Sequence, residues 1–311
     1  VVRIIRLALT VSLALAVHAT TVPAVAAEVD TFEIVSRGMD FDAPREVRSG
    51  WINFRLRNES SMVHFAVIER LPDGYGLKEQ QEQVAPVFQR GMDLMLAGDA
   101  SGAQAAFGEL PPWFGDIVFI GGPGLTGAGQ TSAVTQKLPP GKYLLECYVK
   151  TGGVFHSYNP APDRNGMVRE FTVVAEPSPV REPTATIELA ISKAGGIEMR
   201  GRPVAGKQTI RVQFDGQDLH ENFVGHDVHL VRLDAHGDSD HRQDELEYWM
   251  DWRQAGGLET PAPATFIGGV NEMPAGSTAY LHVSLESGDY AWVSEVPGAI
   301  GKGMLKTFSI D

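Results

Sequence analysis

Four blocks of residues occur twice in this chain, in the same order, and they restrict it to folds that a unit of half its length can build. Phe119-Ile-Gly-Gly122 recurs as Phe266-Ile-Gly-Gly269, and Gly141-Lys-Tyr143 recurs as Gly288-Asp-Tyr290, both at an offset of 147 residues. His64-Phe-Ala-Val-Ile-Glu-Arg-Leu71 matches His226-Asp-Val-His-Leu-Val-Arg-Leu233, and Gly166-Met-Val-Arg-Glu-Phe-Thr-Val173 matches Gly303-Met-Leu-Lys-Thr-Phe-Ser-Ile310. Between the copies, Glu176-Pro-Ser-Pro-Val-Arg-Glu-Pro183 is Pro-rich, charged and free of apolar periodicity, as an inter-domain linker is. The expectation is a duplicated domain: residues 28–176, a linker at 177–185, and a second copy at 186–311. With 311 residues in all, each copy is long enough to bury its own core.

Each copy reads as mostly β. Apolar runs bounded by Gly, Pro and Asn occur at 51–56, 64–71, 116–120, 142–149 and 168–174. Short strands at such intervals build a sandwich or barrel. Leu77 to Phe107 is instead rich in Gln, Glu, Met, Leu and Ala, with helical spacing at Val84, Val87, Met92, Met95 and Leu96, so a helical insertion is expected on a loop. Arg242 to Gln254 is its shorter counterpart, and its Leu246, Trp249 and Met250 are expected to pack against the sandwich.

Residues 1–27 carry Arg3 and Arg6, the apolar run Leu7 to Val17 and the small residues Ala24-Val25-Ala26-Ala27, the pattern of a signal peptide cleaved before Glu28. A run of eleven residues is too short to span a bilayer. A periplasmic or secreted protein without a membrane anchor is expected. The net charge of -13, without a Lys/Arg run, argues against nucleic acid and anionic membranes. It favours a protein partner with a basic surface. Cys147 is the one cysteine, so no internal disulfide forms. In an oxidising compartment it calls for burial, an intermolecular partner or a metal.

His64, Cys147, His156 and Met167 follow one another in the first copy. Two imidazoles, a thiolate and a thioether are the donors of a mononuclear type 1 copper centre. This order of motifs resembles the cupredoxins, the plastocyanin and azurin family, on the strand leading to His64, the segment Leu138-Pro-Pro-Gly-Lys-Tyr-Leu-Leu-Glu-Cys147 and the ending Gly166 to Val173. The resemblance implies two tandem Greek-key β-sandwich domains with helical insertions, an all-β fold. It implies one copper in the first domain, held by His64, His156 and Cys147 with Met167 axial. Eight residues separate Cys147 from His156 and ten separate His156 from Met167. The first spacing is longer than in plastocyanins and looks like that of copper nitrite reductases. Tyr158, Asn159, Pro160, Pro162 and Asp163 are residues that could stiffen the second stretch.

The second copy keeps His226 and Met304 but carries Ser294 in place of Cys147, and 295–302 hold no histidine. No type 1 site is expected there, and the shared Met leaves core packing open for Met167 itself. His220, His226, His229, His236 and His241, among Asp218, Asp227, Asp234, Asp238 and Asp240, match no compact metal motif and read as a solvated acidic loop. Gly121-Gly122-Pro-Gly124 and Gly127-Ala-Gly129 read as a turn, since no Lys-Ser/Thr ending follows. Oxidases and nitrite reductases need a second copper centre with His-x-His pairs, and none occurs. On that ground the chain is expected to be an electron carrier, a copper-holding protein or a metal-free binding module, and not an enzyme.

Overall fold

The computed structural model describes residues 31–159, 166–233 and 239–311. Residues 1–27, expected to be a signal peptide, lie outside them, as do Pro160, Pro162, Asp163, Asp234, His236 and Asp238. Its all-β architecture with helical insertions is the expected one. In the first unit β1 (Thr31–Ser36), β2 (Phe41–Asp42), β3 (Glu46–Asn58), β4 (Val67–Arg70), β5 (Val118–Phe119), β6 (Thr131–Leu138), β7 (Gly141–Glu146) and β10 (Val168–Pro177) build two sheets; β8 (Lys150–Thr151) and β9 (Val154–Phe155) form a small hairpin. One sheet runs β2-β1-β3-β6 and the other β5-β4-β7-β10. The 13-residue β3 belongs to both, its first part pairing with β10 and the rest with β1 and β6.

The second unit has the same strand orders in its two sheets and, among its described residues, no counterpart of the β8–β9 hairpin. Its strands are β11 (Ile187–Ser192), β12 (Gly196–Arg200), β13 (Gly206–Phe214), β14 (Val228–Leu233), β15 (Thr265–Val270), β16 (Thr278–Leu285), β17 (Gly288–Val293) and β18 (Leu305–Ile310). The orders are β12-β11-β13-β16 and β15-β14-β17-β18. Alternation explains the strands: Ile187, Leu189 and Ile191 on β11, with Ile210, Val212 and Phe214 on β13, are buried and form one inward face. The repeated Gly-x-Tyr also has a physical role in each copy. The Tyr143 hydroxyl donates to the Pro139 carbonyl at 2.8 Å and the Tyr290 hydroxyl to the Glu286 carbonyl at 2.9 Å, pinning the turn into β7 and into β17 alike.

Strand pairing and a glycine stretch are among the contacts that join the units. Strands β6 and β16 pair antiparallel from Ala133↔His282 to Gln136↔Ala279, so one sheet continues across the molecule. The glycine stretch expected to be a turn is a strap between the units. Gly124 donates its N–H to the Gly269 carbonyl at 2.9 Å, and Pro123 bridges to Val270. A Cβ on Gly124 would lie 2.6 Å from His229 Nδ1, and one on Gly122 only 2.1 Å from the Ala66 carbonyl oxygen. Close backbone approach is what these glycines permit.

Between β4 and β5 the insertion forms α1 (Leu77–Glu79), a π-helical stretch (Gln80–Val84), α2 (Ala85–Leu96), α3 (Ala100–Phe107) and a 3-10 turn (Pro112–Asp116). Asp99 caps α3 by accepting the Gly102 N–H at 2.8 Å. Val84, Val87 and Met92 are buried as their spacing required, whereas Leu96 is 44% exposed at the helix end. In α4 (Ser239–Met250), Leu246, Trp249 and Met250 are buried as expected.

Gly122 (φ 97°) and Gly129 (φ 72°) share a left-handed backbone, but a Cβ on Gly129 would meet nothing within 4 Å. Gly129→Ala should therefore cost about 1 kcal/mol and Gly122→Ala about 3 kcal/mol or more in chemical denaturation. Equal losses would show that the strap tolerates a wider separation.

Candidate metal centre

His64, Cys147 and His156 are brought together at one end of the first sandwich. His64 follows the exit of β3, Cys147 follows β7, and His156 follows β9. The last two are nine positions apart, and the β8–β9 hairpin folds the chain back between them. Gly152 (φ 61°) and Gly153 (φ 77°) form its turn, where positive φ is required. Cys147 Sγ lies 3.6 Å from His64 Nδ1 and 3.8 Å from His156 Nδ1, and the two Nδ1 atoms are 3.2 Å apart. A point equidistant from all three lies about 2 Å from each, the range of metal–nitrogen and metal–sulfur bonds. All three residues are at most 2% exposed.

Hydrogen bonds fix which nitrogen faces inward. His64 Nε2 lies 2.8 Å from Ser60 Oγ, and the ring also donates to the Gly38 carbonyl. Ser60 Oγ donates to Asn58 Oδ1 at 2.8 Å, so the proton between ring and serine sits on Nε2. Asn58 donates in turn to the Met62 and Thr126 carbonyls. His156 Nε2 lies 2.8 Å from Thr151 Oγ1, which is itself 2.9 Å from Thr260 Oγ1 of the second unit. Both Nδ1 atoms thus face each other and the sulfur; with both rings protonated on Nε2, their two lone pairs would meet a cation held between them.

Burial lowers the pKa of His64 to about 4. Burial, and then the neighbouring His64, lowers that of His156 to about 3, while burial pushes the Cys147 thiol up to about 12. The rings are neutral near pH 7, and the thiol is the one donor of the three that must lose a proton to bind a metal. Met167 is fully buried. Its carbonyl accepts the Cys147 N–H at 3.0 Å and its N–H donates to the His156 carbonyl at 2.7 Å, so its backbone is tied to two of the three residues.

The second unit holds the hairpin. Lys150 N–H donates to the Leu258 carbonyl at 2.7 Å, and Thr260 N–H donates to the Lys150 carbonyl at 3.0 Å. The Glu259 carboxylate accepts the Gly152 and Gly153 N–H groups. The Lys150 ammonium is fully buried and donates to the Trp252 and Gln254 carbonyls; burial lowers its pKa to about 8 against the pull of Glu259 and Asp251. None of these second-unit partners carried a sequence signal.

At the equivalent place in the second unit, Ser294 N–H donates to the Met304 carbonyl at 3.0 Å, the same bond that Cys147 makes to Met167. Ser294 Oγ donates to Asp227 Oδ1 at 2.5 Å, and His226 Nδ1 faces the Gly216 carbonyl. The solvated-loop reading is corrected for the stretch 226–229: His226, Asp227 and His229 are each at most 2% exposed. His229 Nε2 lies 2.5 Å from Asp227 Oδ2 and 3.5 Å from Glu295 Oε1. Burial opposes a charge on His229, but Asp227 and Glu295 outweigh it and favour the imidazolium with a pKa of about 9. Against this, His229 Nδ1 accepts the Leu125 N–H at 3.0 Å, so no proton sits on that atom. The hydrogen bond decides for the neutral ring, with the proton on Nε2 and no lone pair there for a metal. His220 and Asp218 are only partly buried, and His241 lies in α4.

No protein-family model and no curated protein matches the chain. Among solved structures, auracyanin A, a "blue" copper protein from Chloroflexus aurantiacus, is 22% identical over 46% of this chain and 98% of that one, at a TM-score of 0.28. The copper-containing nitrite reductase of Thermus scotoductus is 14% identical over 90% of this chain and 61% of that one (TM-score 0.22). A multi-copper oxidase from Pediococcus acidilactici is 11% identical over 91% and 59% (TM-score 0.22). The expectation that the chain is not an enzyme is corrected here, because the structures matched over nine-tenths of its length are themselves an oxidase and a nitrite reductase. A missing His-x-His removes one local ligand pattern and not an activity. At these scores the likeness assigns no reaction to this chain. No helix among the described residues is long and apolar enough to cross a membrane.

In a metal-free sample, the carbon-bound ring protons of His64 and His156 should keep neutral-imidazole NMR shifts as the pH falls from 7 to 5, where an ordinary histidine charges. Because their folded pKa values lie below the unfolded value, each ring withdraws stability as the pH drops below about 6.5. Titration of either ring near 6.5 would mean that water reaches the centre.

Proposed function

We propose that the first unit is a cupredoxin-type domain that binds one copper ion through His64, Cys147 and His156, with Met167 as the axial neighbour. Through it the protein passes single electrons or holds copper for a partner. The observation that carries this reading is the convergence of two inward-facing Nδ1 atoms and one Sγ on a point about 2 Å from each. Bound there, copper supplies a one-electron couple between its two oxidation states. The chain's own part is to hold the donors still. Ser60 and Thr151 orient the rings, the Cys147–Met167–His156 backbone bonds fix the sulfur relative to one ring, and burial excludes water.

The second unit is the duplicated copy that has exchanged metal ligation for the Ser294–Asp227–His229 hydrogen bonds, the chain dividing at 28–176, 177–185 and 186–311. With its leader removed the protein is exported, and the full chain's net charge of -13, more negative once Arg3 and Arg6 are lost, steers it toward a basic partner.

Titrating the full chain with copper(II) should raise an intense thiolate-to-copper band that saturates at one equivalent and vanishes on reduction. Cys147→Ser should abolish the band yet fold, at a cost of about 1 to 3 kcal/mol, since Ser294 sits on the same backbone bond in the second unit. No band, with the thiol still titratable, would sink the copper reading. Glu259→Ala, which strips the two hairpin N–H groups of their acceptor, should speed copper loss to a chelator at least severalfold while keeping the band. An unchanged rate would show that the second unit does not support the centre.

A further inference from the structure

Beside the candidate metal centre, and sharing none of its three donor residues, lies a partly open cavity of about 70 Å3. Its walls come from both units and from the helical insertion. Four carboxylic side chains line it: Glu69 and Glu146 from the first unit, Asp227 and Glu272 from the second. Among the described residues, no Lys, Arg or His lines it. The remaining wall is largely aromatic, with Phe88, Phe114, Phe223 and Trp252 at its centre. Phe88 packs against the other three with ring centroids 5.5 to 5.8 Å apart.

A second observation points to a ligand. Gln80 is 3% exposed and lines the same cavity; its Nε2 donates to Glu146 Oε2 at 2.6 Å, while its Oε1 has no hydrogen-bond partner. A buried carbonyl oxygen without a donor costs about 1 to 3 kcal/mol, so this end of the cavity is made for an N–H or O–H group. Burial, and then the neighbouring Glu146, raises the pKa of Glu69, and burial raises that of Glu272 to about 7, as for carboxyls without a counter-cation. A bare metal ion fits poorly. Among the described residues, the sets of three potential donors within 4.8 Å are the His64 and Asp227 clusters, and neither Glu69, Glu146 nor Glu272 belongs to one.

We propose that this cavity binds a small organic ammonium ion, a protonated amine on an apolar body about the size of one aromatic ring. The carboxyls supply the counter-charge, the aromatic faces hold the body and attract the cation, and Gln80 Oε1 accepts an N–H. That last contact selects a protonated amine over a quaternary ammonium, which has no N–H to give. The site needs no copper and stands apart from the copper reading.

The test titrates the full chain at pH 7 with benzylamine, benzyltrimethylammonium, benzyl alcohol and benzoate, read by calorimetry and by the fluorescence of Trp252. Benzylammonium should bind saturably at one site with Kd below about 1 mM. The alcohol and the quaternary ion should bind at least tenfold more weakly, and benzoate should not bind. Glu272→Gln and Gln80→Met should each weaken benzylammonium at least fivefold and move the alcohol by less than twofold. Ala85→Phe, which fills the cavity from α2, should abolish binding of all four. No saturable binding of benzylammonium, equal binding of the alcohol or benzoate, or indifference to all three substitutions would each overturn the assignment.

Discussion

Nine positions after Cys147 the chain must bring His156 back to within 4 Å of the sulfur, and the rest of the centre depends on how that return is made. A free loop of this length would close at little entropic cost but would leave its end loosely placed. Here the return is a two-strand hairpin with a Gly152-Gly153 turn, clamped by backbone and side-chain bonds from 258–260 of the second unit. The clamp reaches His156 itself, because Thr260 bonds the Thr151 hydroxyl that sits on its Nε2. The second unit is therefore part of the support of the first unit's ligands.

That support requires the two units to lie close together, and the glycine strap allows it. With Gly124 against Gly269, the β14 backbone approaches the first unit closely enough for His229 to accept the Leu125 N–H. This one hydrogen bond assigns the proton of His229 and turns a cluster that resembles a ligand set into a neutral hydrogen-bonded group. Cys147 and Ser294 thus make the same backbone bond in the two units, and their side chains meet different groups. Cys147 faces the Nδ1 atoms of two histidines, whereas Ser294 donates a proton to a carboxylate.

Much of this was legible in the sequence because it is local or periodic. Strands follow from alternation, the repeat from matched blocks, and His64, Cys147 and His156 from residue type and order. What was not legible depends on contacts across the unit boundary. The Gly121–Gly129 stretch reads as a turn unless Gly269 is known to lie against it, and residues 226–229 read as part of a solvated loop unless Leu125 is known to bond His229. Met167 remains tied to the centre by its backbone, a contact its spacing from His156 did not suggest. The exclusion of enzymes failed for a different reason, since it took a local motif for a property of the whole molecule.

Tyr148 and Glu146, the two neighbours of Cys147, show how these layers connect. Just past the end of β7 the Cys147 sulfur turns to the two histidines while its neighbours line the cavity. Both line the interdomain cavity, Glu146 beside Gln80 and Tyr148 with its hydroxyl donating to Glu295 of the second unit. Cys147 and the cavity wall are consecutive residues of one short segment, and that segment is held from both sides.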